Sequence, residues 1–264
     1  MNTLHHKTMR TGLLGEHLSH SFSPQIHAAL AGDRYSYELF ERAPEGVEAF
    51  IKGDEWDALN VTIPYKQTVM PYLDVISDEA TRIGAVNTIT RLPDGRLKGD
   101  NTDYFGFETM LKKSGLSLYG KKVLVLGSGG AAQTAIAVLE DQGATVIVIS
   151  RSGENNYSNL QIHADAAAIV NCTPVGMYPN NGISPVELDL FPKLEGVLDM
   201  IYNPARTKLL LDAENRGIVA MNGLLMLVAQ AKESAEWFTN TSIADEKIQL
   251  KGLGFVQDIC FAFL

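Results

Sequence analysis

The stretch "KKVLVLGSGGAAQTAIAVLEDQGATVIVIS", residues 121–150, limits the possible folds more than any other part of the chain. An apolar run enters a glycine turn, a helical pattern follows, and a second apolar run closes the segment. Strand, turn, helix and strand make a βαβ unit, which belongs in a parallel sheet with helices on its faces. Gly127-x-Gly129-x-x-Ala132 occupies the turn. Gly127 permits the sharp bend, Gly129 lets the backbone approach a phosphate, and the small Ala132 lets the helix pack close to the strand. The helix N-terminus beyond offers free N–H groups to an anion. The segment predicts a Rossmann-like dinucleotide-binding unit, with Gly127 and Gly129 at the pyrophosphate.

The end of the second strand reads out the cofactor. An acid there holds a ribose 2′-hydroxyl and repels a 2′-phosphate, whereas an arginine binds the phosphate. The chain has Ser150-Arg151-Ser152. That favours NADP, with NAD left open. The stretch from Arg151 to Asn171 is short for a full crossover helix, so a reduced crossover near residues 152–166 and a more exposed cofactor edge are expected.

Upstream, the first hundred residues alternate short apolar runs with helical patterns. "RTGLLG", "YSYELFE" and "ALNVTI" read as strands, "SPQIHAALAG" and "PEGVEAFIKG" as helices, and "VISDEATRIG" as a further helical stretch. "VNTITRLPDGRLKGDN" reads as a hairpin turning on Pro93-Asp94-Gly95. "TDYFGFETMLKKSGL" is amphipathic and bridges to the nucleotide unit. The later "GLLMLVAQAKESAEWF" and "ADEKIQLKGLGFVQDICFAFL" read as helices that pack back on the first unit. The nucleotide unit is therefore expected as an insertion: residues 1–103 with 224–264 form one domain and residues 104–223 the other. The fold class is α/β, two α/β domains with a cleft between them.

Charge and cysteine content narrow the function. Lys and Arg number 22 against 31 Asp and Glu, a net charge of −9 that argues against a broad nucleic-acid footprint. No apolar run reaches membrane-spanning length, and "MNTLHHKTMR" lacks the apolar core of a secretory signal. The two cysteines, Cys172 and Cys260, make no disulfide framework, and Cys172 in "IVNCTP" reads as a small buried thiol. His17, His20 and His27 have no metal-site spacing. A cytoplasmic protein without nucleic-acid, membrane or metal partners is expected.

Three stretches are more polar than their apolar settings require. "SHSFSP" sets Ser21 and Ser23 at alternate positions, where both hydroxyls face one side of an extended segment. "GAVNTI" puts Asn87 at a strand start, and "GDNTDYFG" gathers Asp100, Asn101, Thr102 and Asp103 at a helix start. Each also fits a cap or turn role. "NVTIPYK" ends an apolar run on Lys66, with Pro64 unable to donate to a ladder.

Taken in order, "SHSFSP", "NVTIPYK", "GAVNTI", "GDNTDYFGF", "GSGGAA", "NCTPVGM", "DMIYNPARTKLL" and "NGLLMLVAQAKESAEWF" resemble the shikimate dehydrogenases. The resemblance runs from about residue 12 to about 240. It implies an oxidoreductase that reversibly reduces 3-dehydroshikimate to shikimate with NADP, a step of chorismate and aromatic amino-acid biosynthesis. By motif position it implies Lys66 and Asp103 as the catalytic pair and Ser21 and Ser23, with Tyr202, at the substrate carboxylate. Thr62, Asn87, Asp103 and Gln230 fall at ring hydroxyls. Gly127 to Ala131, Ser150, Arg151, Ser152, Met200 and Gly223 fall along the cofactor. Relatives commonly carry a second basic residue past the first arginine, where this chain has Glu154 and Asn155. An NAD(P)-dependent quinate/shikimate dehydrogenase and a non-catalytic ligand-binding module of the same fold are the alternatives. The assembly implied is a monomer or homodimer.

Overall fold

A computed structural model describes residues 8–19 and 21–245 of the chain. The final apolar stretch expected to be helical lies, from residue 246 on, outside the described residues, as does Cys260. The described chain divides into two compact units, residues 8–102 with 231–245 and residues 103–230.

The first unit is built on a six-stranded mixed sheet. Its strands are β1 (Met9–Gly15), β2 (Tyr35–Glu41), β3 (Ala58–Val61), β4 (Val75–Ile76), β5 (Thr88–Arg91) and β6 (Leu97–Asp100), in the order β2-β1-β3-β5-β6-β4. Helices α1 (Ser23–Ala31), α2 (Val47–Lys52) and α3 (Asp78–Ile83) connect them. β1 runs parallel to β2 and β3, whereas β5 runs antiparallel to both β3 and β6. Leu14, Phe50, Trp56, Leu59, Val86 and Ile89 form the core on one face, each burial contributing roughly 1.5–3 kcal/mol. The Trp56 indole N–H donates to the Phe50 carbonyl at 2.9 Å, so the core's largest ring leaves no polar atom unpaired.

The hairpin closes where Pro93-Asp94-Gly95 predicts it: Leu92 N–H donates to the Arg96 carbonyl at 2.8 Å, and Gly95 has φ +88°. The stretch read as one helix from Val75 divides in two. Val75 and Ile76 pair with Lys98 and Gly99 at the sheet edge, and the helix begins only at Asp78. The Ser77 hydroxyl sets that boundary by accepting from Ala80 N–H at 3.1 Å.

The second unit holds a five-stranded, all-parallel sheet: β7 (Lys122–Leu126), β8 (Thr145–Ile149), β9 (Ala168–Asn171), β10 (Gly196–Asp199) and β11 (Val219–Asn222), in the order β11-β10-β9-β7-β8. Near-continuous apolar runs such as "KVLVL" suit strands covered on both faces. Helix α4 (Thr102–Ser114) enters the unit, α5 (Gly130–Asp141) joins β7 to β8, α6 (Lys208–Asn215) joins β10 to β11, and α7 (Leu224–Thr239) leaves it. Between β8 and β9 the chain makes turns and one 3-10 helix, Leu160–His163. The Asn155, Asn156 and Asn159 side chains hold that connection, Asn155 through a 2.9 Å bond to the His163 ring. The strand order reverses between β7 and β9, the point at which open α/β sheets bind ligands beyond their strand ends.

Candidate active site

In the first unit, the strand directions bring the polar motifs to one edge. The C-terminal ends of β1, β3 and β6 and the N-terminal start of β5 lie side by side: Leu14 pairs with Val61, Asn60 with Thr88, and Thr88 with Asp100. Beyond β1 comes the serine pair. Ser21 Oγ donates to Ser23 Oγ at 3.2 Å and accepts from Ser23 N–H at 3.2 Å. Phe22 between them is helical, with φ −88° and ψ 0°, so the hydroxyls meet through a turn and not along an extended segment. The turn arises because Ser21 N–H already donates to Leu18 O and α1 starts at Ser23-Pro24.

Beyond β3 the chain holds Thr62 and Lys66. Thr62 N–H donates to Leu14 O at 2.9 Å, and Val86 N–H donates to Lys66 O at 2.8 Å. Between them Tyr65 is buried and its hydroxyl donates to Arg42 O at 2.6 Å. The backbone on both sides of Lys66 is thus anchored, while its side chain is half-buried.

Asn87 is 3% exposed, and its amide oxygen and one amide N–H are taken up by neighbouring threonines. Its Oδ1 accepts from Thr102 N–H at 2.8 Å and from the Thr88 hydroxyl at 3.0 Å, and its Nδ2 donates to Thr102 Oγ1 at 3.1 Å. Thr102 directly precedes Asp103, so "GAVNTI" and "GDNTDYFG" are one hydrogen-bonded structure. Sequence reasoning missed the residue at its centre. Asn60 Nδ2 donates to Ser234 Oγ at 2.8 Å and to Thr88 Oγ1 at 3.1 Å, and Asn60 Oδ1 accepts from the Tyr37 hydroxyl at 2.8 Å. Its signal was visible: an asparagine inside the apolar run of β3 needs partners when buried. His27, hydrogen-bonded to the Tyr35 hydroxyl at 2.7 Å, is held neutral by burial, its pKa lowered to about 3.

The second unit carries the nucleotide motif. Gly127, with φ +105°, turns the chain out of β7, and a side chain there would meet Cys172 O and Thr173 Cγ2 at 3.2 Å across the point where the strand order reverses. Gly129 and Gly130 differ from it: a Cβ at either would meet nothing within 4 Å. No side chain caps α5, and Ser128 to Ala131 are exposed. The protein's own packing therefore does not require glycine at 129 and 130. Ser150 and the exposed Arg151 and Ser152 follow β8. Met200 and Gly223 are brought together: a Cβ on Gly223 would lie 2.1 Å from Met200 O. Tyr202 follows three residues beyond the buried Asp199, whose carboxylate accepts from Thr207 Oγ1 at 2.7 Å, Asn171 Nδ2 at 3.0 Å and Ile201 N–H at 3.1 Å. Burial lifts its pKa to about 6 despite those donors. Gln230 lies on α7, where its Nε2 donates to Leu227 O at 2.9 Å. The thiol of Cys172 is pushed above its ordinary pKa by burial and then by Asp199, which leaves it a poor nucleophile.

Residues 13–89 match the shikimate dehydrogenase substrate binding domain. A shikimate dehydrogenase (NADP(+)) of Clostridium beijerinckii is 40% identical over 243 residues, 85% of this chain and 90% of that protein. The chain belongs to the shikimate dehydrogenase family. Family members of known structure share its architecture throughout. The chorismate mutase/shikimate 5-dehydrogenase fusion protein from Clostridium acetobutylicum superposes with a TM-score of 0.91 at 37% identity, covering 97% of this chain and 99% of that one. The shikimate 5-dehydrogenase of Thermus thermophilus, solved with NADP(H) and shikimate, gives 0.84 at 30% identity, covering 97% and 100%.

Proposed function

We propose that this protein is an NADP-dependent shikimate dehydrogenase that reversibly reduces 3-dehydroshikimate to shikimate. Its 40% identity to a shikimate dehydrogenase (NADP(+)) across 85% of the chain carries the reading. In it, the first unit holds the substrate and the second the cofactor. Gly127 to Ala131 would cradle the pyrophosphate at the α5 N-terminus, Arg151 with Ser150 and Ser152 would meet the 2′-phosphate, and Met200 and Gly223 would line the nicotinamide end. When bound, that cofactor supplies hydride to the substrate's carbonyl carbon or takes it from the carbinol carbon.

The chain's own groups handle charge and protons. Ser21 and Ser23, with Tyr202, donate hydroxyl hydrogen bonds to the substrate carboxylate. Thr62, Asn87, Asp103 and Gln230 bind ring hydroxyls, the carboxylate accepting and the amides donating. Lys66 supplies only donors and a positive charge, so it stabilises developing alkoxide and delivers the proton to that oxygen, or receives it in the reverse direction. Asp103 is the second member of the catalytic pair, a carboxylate that accepts hydrogen bonds. The proposal includes a cytoplasmic location and a monomeric or homodimeric assembly.

Steady-state oxidation of shikimate with NADP⁺ tests the proposal. The wild type should turn over, and Lys66→Ala should lose about 10²- to 10⁴-fold in kcat, the usual worth of a positioned acid–base, with a much smaller change in KM. An inactive wild type refutes the function; equal losses in kcat and affinity make Lys66 a binding residue instead.

A further inference from the structure

Three buried hydroxyls stand at the corners of a near-equilateral triangle. Thr88 and Thr102 are 3.2 Å apart, and Ser234 lies 3.1 and 3.0 Å from them. They come from β5, the start of α4 and the middle of α7, and none is more than 1% exposed. Two of the three clamp the Asn87 amide. Thr102 N–H can only donate, so the atom facing it at 2.8 Å is Asn87 Oδ1, which fixes the way the amide points. The Thr88 hydroxyl donates to the same oxygen at 3.0 Å, and Thr102 Oγ1 accepts from Asn87 Nδ2 at 3.1 Å. Among the described residues these bonds leave one Nδ2 proton over, the one a ring hydroxyl would accept. Ser234, the third corner, has no part in the proposed mechanism. It shares its buried stretch of α7 with Ala231 and Ala235, and an alanine in its place would favour the helix more. Nor does Asn60 depend on it, because Asn60 Nδ2 also reaches Thr88 Oγ1 at 3.1 Å and Asn87 O at 3.3 Å.

We infer that Ser234 is a positioning residue for the substrate, holding the Thr88 and Thr102 hydroxyls where they clamp the Asn87 amide. The inference rests on the proposed role of Asn87 at a ring hydroxyl. A small rigid ring is held well only if each partner keeps a fixed direction, and an amide keeps its direction only if the groups around it keep theirs. Ser234 touches both threonine hydroxyls at once and is itself held by Asn60 Nδ2 at 2.8 Å. It acts on the substrate through these neighbours.

Ser234→Ala removes only the hydroxyl. KM for shikimate at saturating NADP⁺ should rise about fivefold, the effect of one lost hydrogen bond, with kcat within about twofold and NADP⁺ affinity unmoved. Thr88→Val keeps the shape of the side chain and removes a second corner, so it should raise KM by a similar factor. The two substitutions together should cost less than the product of the single losses, because they act on one clamp. In heteronuclear NMR spectra of the ligand-free protein, the Asn87 side-chain amide signals should shift and exchange faster in Ser234→Ala. Thr11→Val is the control. Its hydroxyl is equally buried and donates to Ser36 O at 2.8 Å between β1 and β2. Its loss should lower Tm by about 2–4 °C, as Ser234→Ala also does, while KM keeps its wild-type value. An unchanged KM in Ser234→Ala, losses that multiply in the double variant, or unmoved Asn87 amide signals would overturn the positioning role and leave the proposed function standing. A wild type that neither binds nor oxidises shikimate would remove both.

Discussion

His27 shows how a single residue carries more than one requirement. It is 1% exposed, stacked on Tyr37 and Phe238, with Nδ1 at 2.7 Å from the Tyr35 hydroxyl. A ring in that setting is costly to charge, which is why its pKa falls from 6.5 to about 3. Between those values the unfolded chain binds a proton that the folded one refuses. The contribution to stability is therefore complete above pH 6.5 and is lost as pH falls toward 3. At about 1.4 kcal/mol per pH unit, the gap is on the order of 5 kcal/mol. The His27 Cε1 proton should show no NMR titration between pH 8 and 5, and urea midpoints should drop between pH 6.5 and 4. A titration centred near 6.5 would contradict this account. Nothing in "SPQIHAALAG" announces the role, since the partners come from β2 and α7.

At the scale of elements, α4 and α7 are placed by a missing side chain. A Cβ on Gly106 would lie 2.7 Å from Met226 O and 3.0 Å from Gln230 Cβ. The two helices approach backbone to backbone there, and the first of these contacts is to main chain that cannot swing aside. Gly106→Ala should destabilise the protein by ~1–3 kcal/mol, the usual cost of overpacking, even though alanine is the better helix former. Urea unfolding measures it, and a gain in stability would show that the helices can separate without penalty. Most elements were legible where a local signal was strong: β2 occupies the whole of "YSYELFE", and the hairpin turns on Gly95. β4 was not, because two residues recruited to a sheet edge by β6 have no periodicity of their own.

For the molecule as a whole, cofactor binding should appear as stability. A ligand that binds only the folded state at a hundred times its Kd adds ~2.7 kcal/mol. NADP⁺ should therefore raise Tm, and equal NAD⁺ should raise it less, because Arg151 is the single arginine beside the proposed 2′-phosphate position. Arg151→Ala should erase the difference between the two cofactors and leave the NAD⁺ shift unchanged. A larger shift with NAD⁺ in the wild type would reverse the cofactor assignment.

The amino-acid sequence by itself determined the βαβ nucleotide unit, because an apolar strand, a glycine turn and a helix are signals carried by neighbouring residues. It also placed Lys66, Asn87 and Asp103 in their motifs, and the family with them. Only the tertiary structure decided that the first unit's motifs form one polar edge. Asn60 meets Tyr37 across 23 residues and Ser234 across 174. A hydrogen bond of that span depends on parallel β1 and β3 and antiparallel β5 bringing strand ends to the same side of a sheet, and no local periodicity records which ends will meet.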